Sequence, residues 1–190
     1  MDYNKKVLEQ LTKEEINKDV TKVEFKPWGI LSVEYKNNLT VELGNVLGVP
    51  ETQDYPEVTF ELNTEQSIKD DDLFTLVMTD PDAPTRSDPI YGEYCHYVET
   101  DIKLTGKKTI LKDGNVVMKH IGPAPPAGTG LHRYVFLLYK QPSGVNSNTF
   151  TKIEDNFNWG YGAPREGAYR WSNANNLELL AANYFLAETK

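Results

Sequence analysis

The stretch GPAPPAGTGLHRYVFLLYK, Gly122 to Lys140, joins a nine-residue loop, six of them Gly or Pro, to a run that is apolar at almost every position. Proline and glycine at this density stop any helix, so the chain enters the apolar run abruptly. Aromatic and β-branched residues then follow without helical spacing, which predicts a strand over Arg133 to Lys140 that is buried on both faces. A strand of that kind sits in the middle of a sheet, and the sheet must be covered on both sides.

The segments on either side have the same texture. WGILSVEY (Trp28 to Tyr35), LTVEL (Leu39 to Leu43), VTFEL (Val58 to Leu62), LFTLVMT (Leu73 to Thr79), YCHYVET (Tyr94 to Thr100) and VVMKHI (Val116 to Ile121) all read as strands, separated by loops rich in Gly, Pro, Asp and Asn. No helical pattern alternates with them. The expected fold is therefore mainly β, with antiparallel sheets packed on one another. Helices are confined to the ends. Thr12 and Glu15 have capping-box spacing, with Leu11 and Ile16 at staple positions, which predicts a helix from Lys13 within a helical segment over residues 1–20. Near the C-terminus, Asn175-Asn176 reads as a turn between a short helix and a final strand. KDDD, Lys69 to Asp72, reads as a solvated turn. No repeat or linker divides the chain, so residues 1–190 are expected to form one domain.

Composition narrows the function. The chain has 190 residues, 39% of them hydrophobic and 11% aromatic, enough for a substantial core, and a formal charge of -8 with no basic tract. Nucleic acid is an unsuitable partner for such a surface, and so is an anionic membrane. The one cysteine, Cys95, excludes a disulfide framework, and the charged start lacks a signal-peptide core. A cytoplasmic address fits both. No apolar run approaches the ~20 residues that cross a bilayer.

Polar residues occur at three places where the pattern predicts burial. In VMTDPDAPTRSDP, Asp80 and Asp82 alternate with prolines at the end of a strand, and the Ala83-Pro84 bond is a cis candidate. Asp before Pro is also an ordinary turn former whose carboxylate bonds its own backbone. On the strand beginning at Tyr94, alternation sends Tyr94 and His96 to one face and Cys95 to the other, so Cys95 and His96 form no thiolate dyad and Cys95 reads as a small buried hydrophobe. His132 and Tyr134 likewise share a face, with Arg133 pointing away. A lone histidine at a strand end is more often structural. Two of only three histidines flanking Tyr beside rigid loops also fits one shared pocket.

DPDAPTR, EYCHYVE and GPAPPAGTGLHRYVFLLY together resemble the phosphatidylethanolamine-binding protein family, and with WGILSVEY and NNLELLAANYFLAETK the likeness covers nearly the whole chain. It departs at Cys95, where a histidine is frequent, and at Ala124, where animal members have glycine. The resemblance implies a large antiparallel sheet packed on a smaller one. It also implies a non-enzymatic protein with an anion pocket for phosphate-bearing headgroups, formed by Asp80, Asp82, His96, Pro125, His132, Tyr134 and Tyr184. DDDLFTLVMTDPDAP, LYKQP and NWGYGAP are similar to the fungal branch that includes an inhibitor of a vacuolar serine carboxypeptidase, carboxypeptidase Y. For this chain that implies a serine carboxypeptidase partner, an inhibitory segment at Met1, Asp2 and Tyr3, and the vacuole as a second address. On this basis His96 and His132 are expected to donate to phosphate oxygens, both favoured as imidazolium by the aspartates.

Two rivals remain at this stage. A phospholigand-responsive signalling adapter would use the same pocket to modulate kinase or Ras-type partners. A hydrolase or zinc protein would use the carboxylates and histidines directly, but the chain has no G-x-S-x-G, H-E-x-x-H or G-K-[ST] motif, and metal ranks well below anion binding. No cofactor is expected.

Overall fold

The computed structural model describes residues 2–190. The apolar run forms β8 (His132–Lys140), and it lies one strand from the edge of a five-stranded antiparallel sheet. The sheet order is β7 (Asn115–Met118), β5 (Tyr94–Ile102), β4 (Phe74–Asp80), β8, β9 (Glu178–Ala187). A second sheet of four antiparallel strands runs β2 (Leu39–Thr40), β1 (Gly29–Tyr35), β3 (Glu57–Leu62), β6 (Lys108–Ile110).

Alternation along β4 and β8 divides the core in two, because successive side chains leave opposite faces of the large sheet. Leu76, Met78, Tyr134, Phe136 and Leu138 pack against Leu31, Val33 and Phe60 of the small sheet. Val77, Val135, Leu137 and Tyr139 pack on the other face against Val7 and Leu11 of α1 (Tyr3–Lys13), Trp159, and Ala168 and Trp171 of α2 (Gly167–Ala174). Each fully buried Phe or Leu in these layers contributes about 1.5–3 kcal/mol of hydrophobic stabilisation. Cys95 lies in the second layer, fully buried, with its thiol pushed well above the usual range by burial and then by the charge of Glu93. The final turn falls where expected, α2 ending before Asn175 and β9 following.

Four local expectations need correcting. The N-terminal helix starts ten residues before Lys13, at Tyr3, because Asp2 caps it by accepting from the Asn4 amide at 3.1 Å. Thr12 is no cap; its hydroxyl bonds back to the Leu8 carbonyl at 3.0 Å, and the helix closes at Glu14 and Glu15, the latter with φ 55°. Strand β2 stops at Thr40: the Val41 amide still bonds the Val33 carbonyl of β1 at 2.9 Å, but the two amides after it are taken by side chains, Glu42 N by Asn45 at 2.7 Å and Leu43 N by Asn183 at 3.1 Å. β7 ends at Met118, and the short edge strand β6 went unanticipated. KDDD is only partly solvated: Asp72 is buried, accepts from the Lys69 amide at 2.9 Å and pairs with Lys140 at 3.0 Å.

Candidate functional site

β5, β4 and β8 are adjacent and antiparallel, so the end of β4 lies beside the starts of the other two. This one sheet edge brings Asp80, His96 and His132 together from three stretches of sequence. The register of β4 on β5 slips here: Met78 pairs with Tyr97 and Thr79 with Cys95, leaving His96 without a partner residue. His96 is thus the extra residue of a bulge, a device that re-aims one side chain at the rim of a sheet.

The rigid loop closes the other side. A cavity of about 330 Å³ is lined by Asp80, His96, Pro125, His132 and Tyr134, with Tyr91, Tyr94, Ile121 and Phe157 among the residues at its walls. The Ala83–Pro84 bond, also in the lining, is cis. A volume at the low end of ligand-site sizes suits a small headgroup. Tyr94 lies 4.8 Å from the His96 ring and 5.2 Å from Phe157, so the walls are aromatic.

Two predicted site residues lie elsewhere. Asp82 is fully buried outside the cavity, where Arg133 holds it through Nε at 2.9 Å and Nη2 at 2.7 Å, and Arg165 through Nη2 at 2.9 Å. Burial alone would raise the Asp82 carboxyl, but the hydrogen bonds and charge of Arg133, helped by Arg165, hold it below its ordinary value. Tyr184 faces the other layer and donates to the Gln10 carbonyl at 3.2 Å. Its neighbour Phe185 is the C-terminal aromatic near the site, stacked on Tyr134 at 5.2 Å. The turn-former reading of the aspartates holds as well, since Asp80 accepts from the Asp82 amide at 2.7 Å.

The hydrogen bonds assign the protons. His132 Nδ1 lies 2.9 Å from Asp80 Oδ2 and its Nε2 lies 2.9 Å from Thr129 Oγ1. The Thr129 hydroxyl spends its only proton on the Pro126 carbonyl at 2.7 Å, so it can only accept from His132. Both ring nitrogens of His132 therefore donate, and the ring is an imidazolium. Burial pushes its pKa down, yet the hydrogen bond and charge of Asp80, with smaller help from Asp82, leave it raised.

His96 differs. Its Nδ1 faces the Ile121 carbonyl at 2.6 Å and must donate to it, while Nε2 bonds no described residue. Burial lowers its pKa, and the opposing charge of Asp80 does not compensate. The expectation of two imidazolium donors thus holds for charge at His132 alone, and that ring has no N–H left for a ligand. Tyr134 supplies the remaining donor: its hydroxyl is buried close to Asp80 with no hydrogen bond of good geometry, and its pKa is held far above the usual range by burial and then by the two aspartates. The third histidine, His120, lies edge-on to Tyr55 at 5.4 Å, outside the cavity lining.

Arg133 was expected to point away from the pocket, and it does so into a buried ionic cluster. Its guanidinium also meets Asp19 at 2.9 Å and donates to the Glu14 carbonyl at 2.7 Å, tying α1 and the turn at Asn17–Thr21 to the loop after β4. A signal existed, since an arginine entering a strand apolar on both faces needs buried partners. At the N-terminus, Met1 lies outside the described residues and Asp2 is exposed. Tyr3 is partly buried against the second core layer, and Asn4 donates to Pro27 and Asn63, so the terminus is anchored from the first helical turn. Among the described residues no three His, Cys, Asp or Glu side chains converge in a metal-binding group, and no helix is long and apolar enough to cross a membrane.

The chain as a whole is similar to known proteins. A family model described as phosphatidylethanolamine-binding protein matches residues 22–185. The carboxypeptidase Y inhibitor of Saccharomyces cerevisiae is 46% identical over 190 residues, covering 87% of either chain. An uncharacterised protein of the same yeast is 42% identical, over 96% of this chain and 93% of its own. The crystal structure of carboxypeptidase Y inhibitor complexed with its cognate proteinase superposes with TM-score 0.96 at 45% identity, over 100% of this chain and 98% of that one. A phosphatidylethanolamine-binding protein from Plasmodium vivax, 23% identical, shares the fold at TM-score 0.79 over 96% and 97% of the two chains.

Proposed function

The chain belongs to the phosphatidylethanolamine-binding protein family, and from that premise we propose that it is a non-enzymatic inhibitor of a serine carboxypeptidase that also carries an oxyanion pocket. One observation carries the first half: the whole chain follows the backbone of an inhibitor seen on its proteinase, at TM-score 0.96. A backbone matched that closely needs little rearrangement to dock as the inhibitor does.

The chemistry of the cavity supports a receptor rather than a catalyst. Cys95 is in the opposite core layer. His132 donates to Asp80 and to a Thr129 hydroxyl whose own proton goes to the Pro126 carbonyl, so it keeps no lone pair to act as a base, and the Tyr134 hydroxyl is held protonated. What remains is a small, stiff, aromatic-walled recess with a donor at its base. Proline-fixed walls limit the entropy lost when a headgroup binds.

The start of the chain, Met1 to Tyr3, is the inhibitory element in this reading. Met1 and Asp2 precede the helix, and Tyr3 opens it. Adding the purified protein to carboxypeptidase Y and following peptide hydrolysis tests the proposal. Loss of activity at a one-to-one ratio is expected, and deletion of Met1 to Asn4 should abolish that inhibition, with a somewhat lower melting temperature because the Asp2 cap and the Asn4 anchor of α1 go with it. Undiminished hydrolysis at micromolar protein would reject the proposal.

A further inference from the structure

The cavity has no spare positive charge. Asp80 and the His132 imidazolium cancel one another across 2.9 Å. Asp82 and Asp19 are matched by Arg133 and Arg165 outside the lining. The groups that face His96 are Asp80 from β4, Tyr134 and His132 from β8, Tyr94 from β5, and Tyr91 and Phe157 from the loops. His120, on the segment after β7, also acts on it electrostatically. None of these is an uncommitted cation. A dianion entering such a recess would bring a charge into surroundings whose buried polar groups are the Tyr134 hydroxyl and one bare imidazole nitrogen, with the Tyr91 and Tyr94 hydroxyls nearer the mouth, and desolvation would oppose it.

Resting on the pocket reading above, we infer that the site binds an oxyanion together with one proton, shared between a ligand oxygen and His96 Nε2, while Tyr134 donates to a second oxygen. The bond balance is simple. A phosphomonoester monoanion carries an acidic P–OH that donates to the Nε2 lone pair. A monoester dianion binds only as solvent supplies a proton to His96 or to the ligand. A phosphodiester has no proton to give, so it too requires protonation of His96. Near the monoester's second pKa of about 6, where that proton is still carried, the site therefore selects terminal phosphomonoesters over the diester of an intact two-chain phospholipid; at higher pH both draw one proton from solvent and the preference no longer grows. The lowered pKa of His96 widens that preference.

Titration calorimetry of the full chain in buffers of differing ionisation enthalpy tests this, with O-phosphoethanolamine as the monoester and glycerophosphoethanolamine as the diester. At pH 8, where the monoester is a dianion because its second pKa is about 6, binding should take up close to one proton per site. At pH 5 that uptake should fall well below one. Diester affinity should drop up to about tenfold per pH unit above the His96 pKa. The variant His96→Asn, whose fold is checked by melting, should bind without proton uptake and with diester and monoester nearly equal.

Vesicles of phosphatidate in a phosphatidylcholine background separate the sources. Retention at pH 7.5 on these and not on phosphatidylethanolamine vesicles identifies a lipid-borne monoester; competition only by free phosphoethanolamine identifies a soluble one. Binding of either probe at pH 8 with no proton exchange would overturn the inference and leave the pocket standing. Failure of both probes to bind at any pH would remove the pocket with it.

Discussion

Replacing Arg133 by Met keeps most of the aliphatic stem and removes the guanidinium from a position with no solvent exposure. Four interactions vanish: the two-point bond to Asp82, the 2.9 Å pair with Asp19 and the 2.7 Å bond to the Glu14 carbonyl. Arg165 still meets both carboxylates, at 2.9 Å and 3.3 Å, so the deficit left behind is one buried negative charge rather than two. Breaking a buried pair from one side costs about 3–5 kcal/mol. For a domain of this size each kcal/mol lowers the melting temperature by roughly 2–4 °C, giving a fall of about 6–20 °C. Adding Asp82→Leu removes the orphaned charge, leaves Asp19 paired with Arg165, and should recover about 2 kcal/mol, less than the whole because the Arg133 amide loses its acceptor. Urea melts of the two single variants and the double variant give the coupling directly. A single variant within about 1 kcal/mol of the parent, or strictly additive losses, would refute the claim that this cluster locks α1 to the loop after β4.

Three further outcomes are expected. His132 has a raised pKa, so the stability it lends is fully present below the ordinary histidine value and is lost as pH rises through the higher folded value; in Asp80→Asn an NMR titration should show that pKa falling below 6.5. Glu93 is fully buried, its carboxyl pushed up to about 7 by burial against the hydrogen bonds of Ala168 and Thr79, and its Oε2 has no partner. An acid held this way holds its proton more tightly folded than unfolded, so its ionisation removes stability as pH climbs from about 4.5 to 7 and above, at most about 3 kcal/mol; Glu93→Gln should flatten that decline and melt higher than the parent at pH 8. A methyl group at Gly167 would run into the Trp159 ring, so Gly167→Ala should cost about 1–3 kcal/mol by overpacking, read as a lowered denaturation midpoint with unchanged slope.

How far the sequence reaches is visible in particular residues. The alternating runs on β1 and β3 and the β-rich or continuously apolar runs on β4, β5 and β8 are local signals, and the strands lie within a residue or two of where those runs put them. Convergence of His96 and His132 was one of two open readings, and topology decides it, since β4 sits between β5 and β8. Which groups are free within the cavity is not a local property. The His96 bulge depends on pairing with β4, and the commitment of His132 depends on Thr129, three residues away, already being bonded to Pro126. Asp82 and Asp80 look alike in DPD, yet partners from Asp19 to Arg165 separate them. Thr12 and Glu15 had the spacing of a cap but not the context, because Asp2 had already started the helix.

Long-range nitrogen-15 correlation spectra of the three histidines, recorded at pH 7 without and with O-phosphoethanolamine, bear most directly on a receptor whose charged histidine is spoken for and whose neutral one meets the ligand. The account predicts His132 protonated on both nitrogens throughout and His96 with a bare Nε2 whose resonance moves on titration. A neutral His132, or a ligand response at His132 with His96 unmoved, would contradict it.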